Sequence, residues 1–208
     1  AYFDGMFIGY LGTLENVDEL QDCLKTNIIE SSYIIFDPIC GDNGKIYSNF
    51  DMNYVESLKK IIQYSYIITP NYTEACLLTG IEMKEEISLE EIHVLCRKLC
   101  EYGCENVIVT SVPLKNKNEI GTCIYEKSED KFSIIRKEKI KKSYPGTGDV
   151  FTAVLFGCIL NKKSLLSAAQ SACEFVSYVI KYSAEYEYDT KEGIMLESCL
   201  NKLFEMVK

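Results

Sequence analysis

The sequence predicts an α/β fold, with one mostly parallel central sheet, helices on both of its faces and an antiparallel hairpin at its edge. Two observations predict it. Short β-branched and aromatic runs alternate with longer amphipathic stretches along most of the chain, the pattern of a parallel sheet covered by helices. After Thr110 that alternation gives way to two strand-like runs around a polar turn, the pattern of a hairpin.

Taken in order, Gly5 to Leu11 (GMFIGYL) reads as a buried strand and Val17 to Glu30 as a helix. Tyr33 to Asp37 (YIIFD) is a strand stopped by Pro38, and Met52 to Gln63 is a helix. Tyr66 to Thr69 is a short strand ending at Pro70. Thr73 to Thr79 is a helix closed by Gly80, Leu89 to Tyr102 a helix closed by Gly103, and Val107 to Thr110 the next strand. Gly121 to Glu126 and Phe132 to Arg136 flank the turn Ser128-Glu129-Asp130-Lys131 and form the edge hairpin. From Asp149 onward the chain is helical, with Val150, Phe151, Val154, Leu155, Cys158 and Ile159 on one face. Further helices are expected over Leu165 to Tyr182 and Ile194 to Met206. No repeat, low-complexity tract or linker interrupts residues 1–208, which read as a single domain.

At 208 residues and 47% hydrophobic content the chain can bury one good core. Its formal charge of -9, with acids and bases interspersed, leaves no basic face for nucleic-acid phosphates. No apolar run reaches the roughly 20 residues of a membrane span, so a soluble cytoplasmic protein is expected. Among the ten cysteines, Cys96, Cys100 and Cys104 recur every four residues, with His93 just ahead. A metal or cluster site would use tighter, paired spacings, whereas a helix stripe has this one, so buried thiols are expected.

In open parallel sheets ligands bind beyond the carboxyl ends of the strands, which directs attention to the residues that follow each one. Four places stand out: Asp37-Pro38 leading into Cys40-Gly41-Asp42-Asn43-Gly44; Thr69-Pro70-Asn71 with Glu74; Thr110-Ser111; and Gly146-Thr147-Gly148-Asp149. In the last, two glycines around a hydroxyl residue let backbone N–H groups converge at a helix start, which suits a phosphoryl group. Asp149 at its end is positioned to accept a proton from an attacking hydroxyl. Read alone, the same residues equally describe a tight loop with Asp149 as a helix N-cap. Asp37, Asp42, Asn71 and Glu74 supply the hard oxygen ligands that hold Mg²⁺ beside nucleotide phosphates, or else merely end a strand and favour a helix dipole. Their convergence on one rim favours the first reading. The lysine-rich loop Lys139 to Pro145 reads as a solvated turn rather than a mobile flap.

DPICGDNGKIY (Asp37 to Tyr47), IITPNYTEACLLTG (Ile67 to Gly80), VIVTS (Val107 to Ser111) and GTGDVF (Gly146 to Phe151) together resemble the pyridoxal kinases of the ribokinase-like superfamily. The resemblance covers nearly the whole chain, and its DP-x-x-GD-x-G-x-x-Y block points to vitamin B6 rather than sugar. It implies a ribokinase-like three-layer α/β/α sandwich. It also implies ATP-dependent phosphorylation of the 5′-hydroxymethyl group of pyridoxal, pyridoxine or pyridoxamine. Asp149 would be the base, with Gly146, Thr147 and Gly148 as the anion hole. Asp37, Asp42 and Glu74 would act around Mg²⁺ and the phosphates. Thr69 and Asn71 would touch the phosphates or a monovalent cation such as K⁺, Thr110 and Ser111 the nucleotide, and Tyr10 and Tyr47 the pyridine ring. The resemblance further suggests a homodimer. Family members usually carry an additional amino-terminal strand and a serine-bearing loop, so this chain is expected to lack that segment. Two other readings compete: a hydroxymethylpyrimidine kinase of thiamine synthesis, and a non-catalytic protein that binds a nucleotide or a B6 vitamer.

Overall fold

The computed structural model describes residues 3–26 and 33–207. The chain first runs β1 (Gly5–Ile8), α1 (Leu14–Thr26), β2 (Tyr33–Phe36), β3 (Gly41–Asp42), β4 (Lys45–Ile46), α2 (Met52–Ile62), β5 (Ile67–Ile68), α3 (Tyr72–Thr79) and α4 (Leu89–Cys100). It continues through β6 (Asn106–Pro113), β7 (Glu119–Glu126), β8 (Lys131–Glu138), α5 (Thr147–Leu160), α6 (Leu165–Ala184) and α7 (Leu200–Val207). Six strands form one sheet in the order β1-β2-β5-β6-β7-β8, parallel from β1 to β6 and antiparallel from β6 to β8.

Successive strand residues point to opposite faces, and the core divides accordingly. Ile34, Phe36, Ile68, Val107 and Val109 face a core completed by α1 to α4, while Ile35, Ile67 and Ile108 face one completed by α5, α6 and α7. The three layers and the mostly parallel sheet are therefore those expected. Both faces of the central strands are buried, which explains why they read as continuous apolar runs rather than alternating ones. Polar side chains start the helices on the first face. Asp51 accepts from Tyr54 N–H at 3.0 Å, and Asn71 with Glu74 and Ser88 with Glu91 each form a reciprocal capping box.

Several boundaries differ from expectation. β1 stops at Ile8 instead of Leu11, because β2 offers no partner beyond Phe36. The part of the first helix expected beyond Thr26 lies outside the described residues. α4 ends at Cys100 rather than Tyr102, since the N–H groups of Glu101, Tyr102 and Gly103 bond three residues back and tighten the turn. The edge strands are longer than expected, and β6 itself continues to Pro113 to pair with β7. The last helix begins at Leu200, after a 3₁₀ turn over Glu197–Cys199, instead of at Ile194. There Met195 N–H donates to Ser183 Oγ of α6 at 2.9 Å, which ties the segment before α7 to α6. One element was not anticipated: β3 and β4 form a two-residue hairpin turning on Asn43 (φ 51°) and Gly44 (φ 76°), the left-handed pair that such turns require.

Cys96, Cys100 and Cys104 are buried in the first core as expected, Cys96 and Cys100 on α4 and Cys104 in the loop that follows it. His93 stacks on Phe132 with ring centroids 4.9 Å apart. The Lys139 to Pro145 loop is pinned at two points, by Lys142 Nζ donating to Ala184 O at 2.9 Å and by buried Tyr144 stacked on Tyr188. Among the described residues no helix is long and apolar enough to cross a membrane.

Candidate active site

The register of the parallel strands sets Ile8 beside Phe36 and Phe36 beside Ile68. The residues that follow, Gly9, Asp37 and Thr69, therefore emerge in one row at the carboxyl rim. α5 begins over this row. Its N-cap, Gly146, has φ 82°, a left-handed conformation that glycine adopts at little cost, and Thr147 is the first helical residue. Asp149 is therefore in the first turn and not the cap. The first intrahelical bond goes from Val150 N–H to Gly146 O, so the N–H groups ahead of it are available to an anion at the positive end of the helix dipole. Thr147 Oγ1 donates to Tyr144 O at 3.3 Å, which holds the turn from the inside.

The carboxylates converge on this turn. A methyl group added at Gly148 would lie 3.7 Å from Asp37 Oδ2, and one at Gly9 would lie 3.9 Å from Asp149 Oδ1. Asp37 is 5% and Glu74 2% exposed, whereas Asp149 is open to solvent. Burial first, and the Asp149 charge second, push the Asp37 carboxyl up to about 7. Burial and Asp37 likewise hold Glu74 well above the usual carboxylate range, against hydrogen bonds from backbone N–H groups that pull it down. Those bonds run from Cys40 N–H at 3.1 Å and Asn71 N–H at 2.8 Å, so Glu74 joins the loop after β2 to the start of α3. Asn71 Nδ2 reinforces the junction by donating to Gly41 O at 2.8 Å.

Asp42 stands apart from this group. It is exposed on the β3–β4 hairpin and its carboxylate accepts from Asn43 N–H at 2.8 Å and Asn43 Nδ2 at 2.9 Å. Among the described residues no group of three or more His, Cys, Asp or Glu side chains forms a cage for a metal by itself. Asp37 and Glu74 nevertheless fit a hard divalent cation. They are neighbouring buried carboxyl groups whose ionised forms a cation would favour, and none of Asp37, Glu74 and Asp149 forms an ion pair among the described residues. Phosphate oxygens and water would have to complete the shell.

The remaining candidates divide by exposure. Thr69 is 3% exposed and its hydroxyl turns inward, 3.1 Å from Thr152 Oγ1 of α5, away from any phosphate at the rim. Thr110 N–H donates to Pro70 O at 3.0 Å and Thr110 pairs with Asn71. Ser111 follows at φ 58°, at a bulge between Val109 and Val112 that aims it outward. Tyr10 is 59% exposed, accepts from Asn49 Nδ2 at 2.8 Å, and lies 5.6 Å from the Phe50 ring, which is itself stacked on Tyr54 at 3.8 Å. Tyr47 is 40% exposed; burial first, and Glu74, Asp42 and Asp37 after it, push its hydroxyl up to about 12. Two participants escaped the sequence reading. The β3–β4 hairpin was signalled by Asn43-Gly44, while nothing local to Thr152 marked its pairing with Thr69.

The phosphomethylpyrimidine kinase family model matches residues 2–194. A hydroxymethylpyrimidine/phosphomethylpyrimidine kinase of Aquifex aeolicus is 28% identical over 182 residues, 86% of this chain and 68% of its own length. The pyridoxal kinase of Arabidopsis thaliana is also 28% identical, over 75% of this chain and 50% of its own. The chain thus spans between about half and two thirds of the length of the curated relatives it matches. Among solved structures, a protein of Bacteroides thetaiotaomicron assigned as a phosphomethylpyrimidine kinase, solved with pyridoxal, is 34% identical with a TM-score of 0.93, covering 98% of this chain and 72% of that one. The pyridoxal kinase of Entamoeba histolytica is 28% identical with a TM-score of 0.84, covering 98% and 70%. The resemblance to pyridoxal kinases is borne out in these relatives, and the chain belongs to the phosphomethylpyrimidine kinase family.

Proposed function

We propose that this protein transfers the γ-phosphoryl group of ATP to a hydroxymethyl group on a B6 vitamer, giving the 5′-phosphate. The observation that carries the reading is Asp149 on the first turn of α5, next to free helix N–H groups and across from the buried acids Asp37 and Glu74. Asp149 accepts the proton of the attacking hydroxyl, which raises its nucleophilicity as the new O–P bond forms and the bond from the γ-phosphorus to the bridging oxygen breaks, releasing ADP. The N–H groups after Gly146 hold the equatorial oxygens of the moving phosphoryl, and the helix dipole stabilises their charge without reorganisation. Asp37 and Glu74 would hold Mg²⁺, partly through water, where it would neutralise charge at the phosphates. Thr110 and Ser111 line the nucleotide side. Tyr10 and Tyr47 flank the acceptor ring, and their exposed faces suit a flat aromatic substrate.

The similar structure solved with pyridoxal supports a pyridine acceptor. A second reading, a hydroxymethylpyrimidine acceptor, is favoured by the Aquifex aeolicus relative. An assay of ATP-dependent phosphorylation on pyridoxal, pyridoxine, pyridoxamine and hydroxymethylpyrimidine decides between them: the vitamers are expected to turn over faster, and a strong preference for the pyrimidine would overturn the substrate assignment. Asp149→Asn is expected to lower turnover at least about 100-fold with ATP affinity nearly unchanged. Undiminished turnover would remove Asp149 from the mechanism.

A further inference from the structure

We infer that Thr152 is a positioning residue for the phosphate cradle, acting through its hydroxyl on Thr69; the role rests on the kinase reading above. α5 meets the sheet mainly through Phe151, Val154, Leu155, Cys158 and Ile159, against Ile35, Ile67 and Ile108. Such contacts hold a helix down and limit its movement, but being non-directional they do not by themselves set its rotation and slide to fractions of an ångström. A hydrogen bond does. Among the described residues, the bond between Thr152 Oγ1 and Thr69 Oγ1, at 3.1 Å, is the one side-chain hydrogen bond between α5 and the ends of the parallel strands.

Three features give that bond consequence. Thr152 is 1% and Thr69 3% exposed, so neither hydroxyl has bulk water to fall back on when the two are separated. Thr152 is three residues after Asp149 in α5, on the same side of the helix and one turn further in, so its register is the register of the catalytic carboxylate. Thr69 in turn is fixed through its N–H to Phe36 O at 3.0 Å, two residues before Asn71, whose capping box holds Glu74 and through it the loop after β2. The pair therefore ties the cradle to the two buried acids that face it. Both partners are β-branched, which limits side-chain rotation and sharpens the linkage.

The test uses the full chain and four variants: Thr152→Val, of the same shape without the hydroxyl; Thr152→Ser, which keeps it; Thr69→Val; and the valine double variant. Thr152→Val is expected to lower kcat by about tenfold, the scale of a sub-ångström misplacement, while KM for ATP moves less than about threefold. Thr152→Ser is expected to restore most of kcat, and the double variant to be no worse than the poorer single one, because both remove the same bond. A folded Thr152→Val with kcat within about twofold of the parent, or additive single effects, would overturn the role. So would a Thr152→Ser variant as slow as Thr152→Val, since that would make the methyl group and its packing decisive. A parent chain that phosphorylates neither pyridoxal nor hydroxymethylpyrimidine would remove the kinase reading and this role together, whereas an active parent with an indifferent Thr152→Val removes this role alone.

Discussion

On the phosphate side of the rim, Asp37, Thr69, Glu74 and Thr152 are 5%, 3%, 2% and 1% exposed, and Thr69, Glu74 and Thr152 are each held by a hydrogen bond across the fold. On the aromatic side, Tyr10 and Tyr47 are 59% and 40% exposed, and the Tyr10 hydroxyl is steadied by Asn49 on a neighbouring loop. Under the proposed kinase reading, the difference follows what each side would do. Phosphoryl transfer needs donors and charges held to fractions of an ångström, which a side built of buried acids and buried hydrogen bonds would supply. Ring recognition needs flat surface and access, which loops supply.

Breaking the buried side gives the largest expected effect. Glu74→Ala leaves Cys40 N–H and Asn71 N–H without their acceptor, at about 1–3 kcal/mol each, and should lower the thermal midpoint by roughly 5–15 °C. Calorimetry measures it, and a shift of less than about 2 °C would show that the junction is not held by these bonds.

The charge stored on that side should also appear as a pH dependence. Asp37 has an ordinary value of 3.8 and is raised to about 7 in the folded protein, so between those limits the folded state keeps a proton that the unfolded state has released. Stability from this group is therefore full below its ordinary value and is lost as pH rises through about 7. Asp37→Asn should flatten that decline and raise the midpoint at pH 8 relative to the parent. Mg²⁺ should stabilise the parent more at pH 8 than at pH 5, since proton and cation compete for one carboxylate. A decline that survives in Asp37→Asn would assign it to other groups.

The smallest effect belongs to the open side. Asn49→Ala should raise KM for the acceptor by about two- to threefold through a freer Tyr10, leave kcat unchanged, and alter stability by no more than about 0.5 kcal/mol. A change in kcat as large as that expected of Thr152→Val would erase the contrast between the two sides.

Much of this was legible in the chain itself. The apolar runs around Ile35, Ile67 and Ile108 identify central strands, and Gly146-Thr147-Gly148-Asp149 identifies a glycine-bounded helix start, because both depend on neighbours in sequence. Asp37, Asn71 and Glu74 stand out in the sequence by their position after strands. What escaped depended on distant partners. The Thr69 hydroxyl reads as rim-facing from sequence, yet it is turned inward by Thr152, 83 positions away. Asp42 reads as a companion of Asp37, yet the Asn43-Gly44 hairpin carries it to the exposed rim.

The sequence by itself determined a mostly parallel sheet covered by helices, the order of the strand-end motifs and the glycine-bounded turn from Gly146 to Asp149, since period, caps and glycine positions are local properties. Only the tertiary structure decided which carboxylates share one environment and how the cradle is held over them. Strand register aligns Gly9, Asp37 and Thr69 in one row, and burial raises Asp37 and Glu74 together. Both are consequences of contacts between residues far apart in the chain, and no local pattern encodes them.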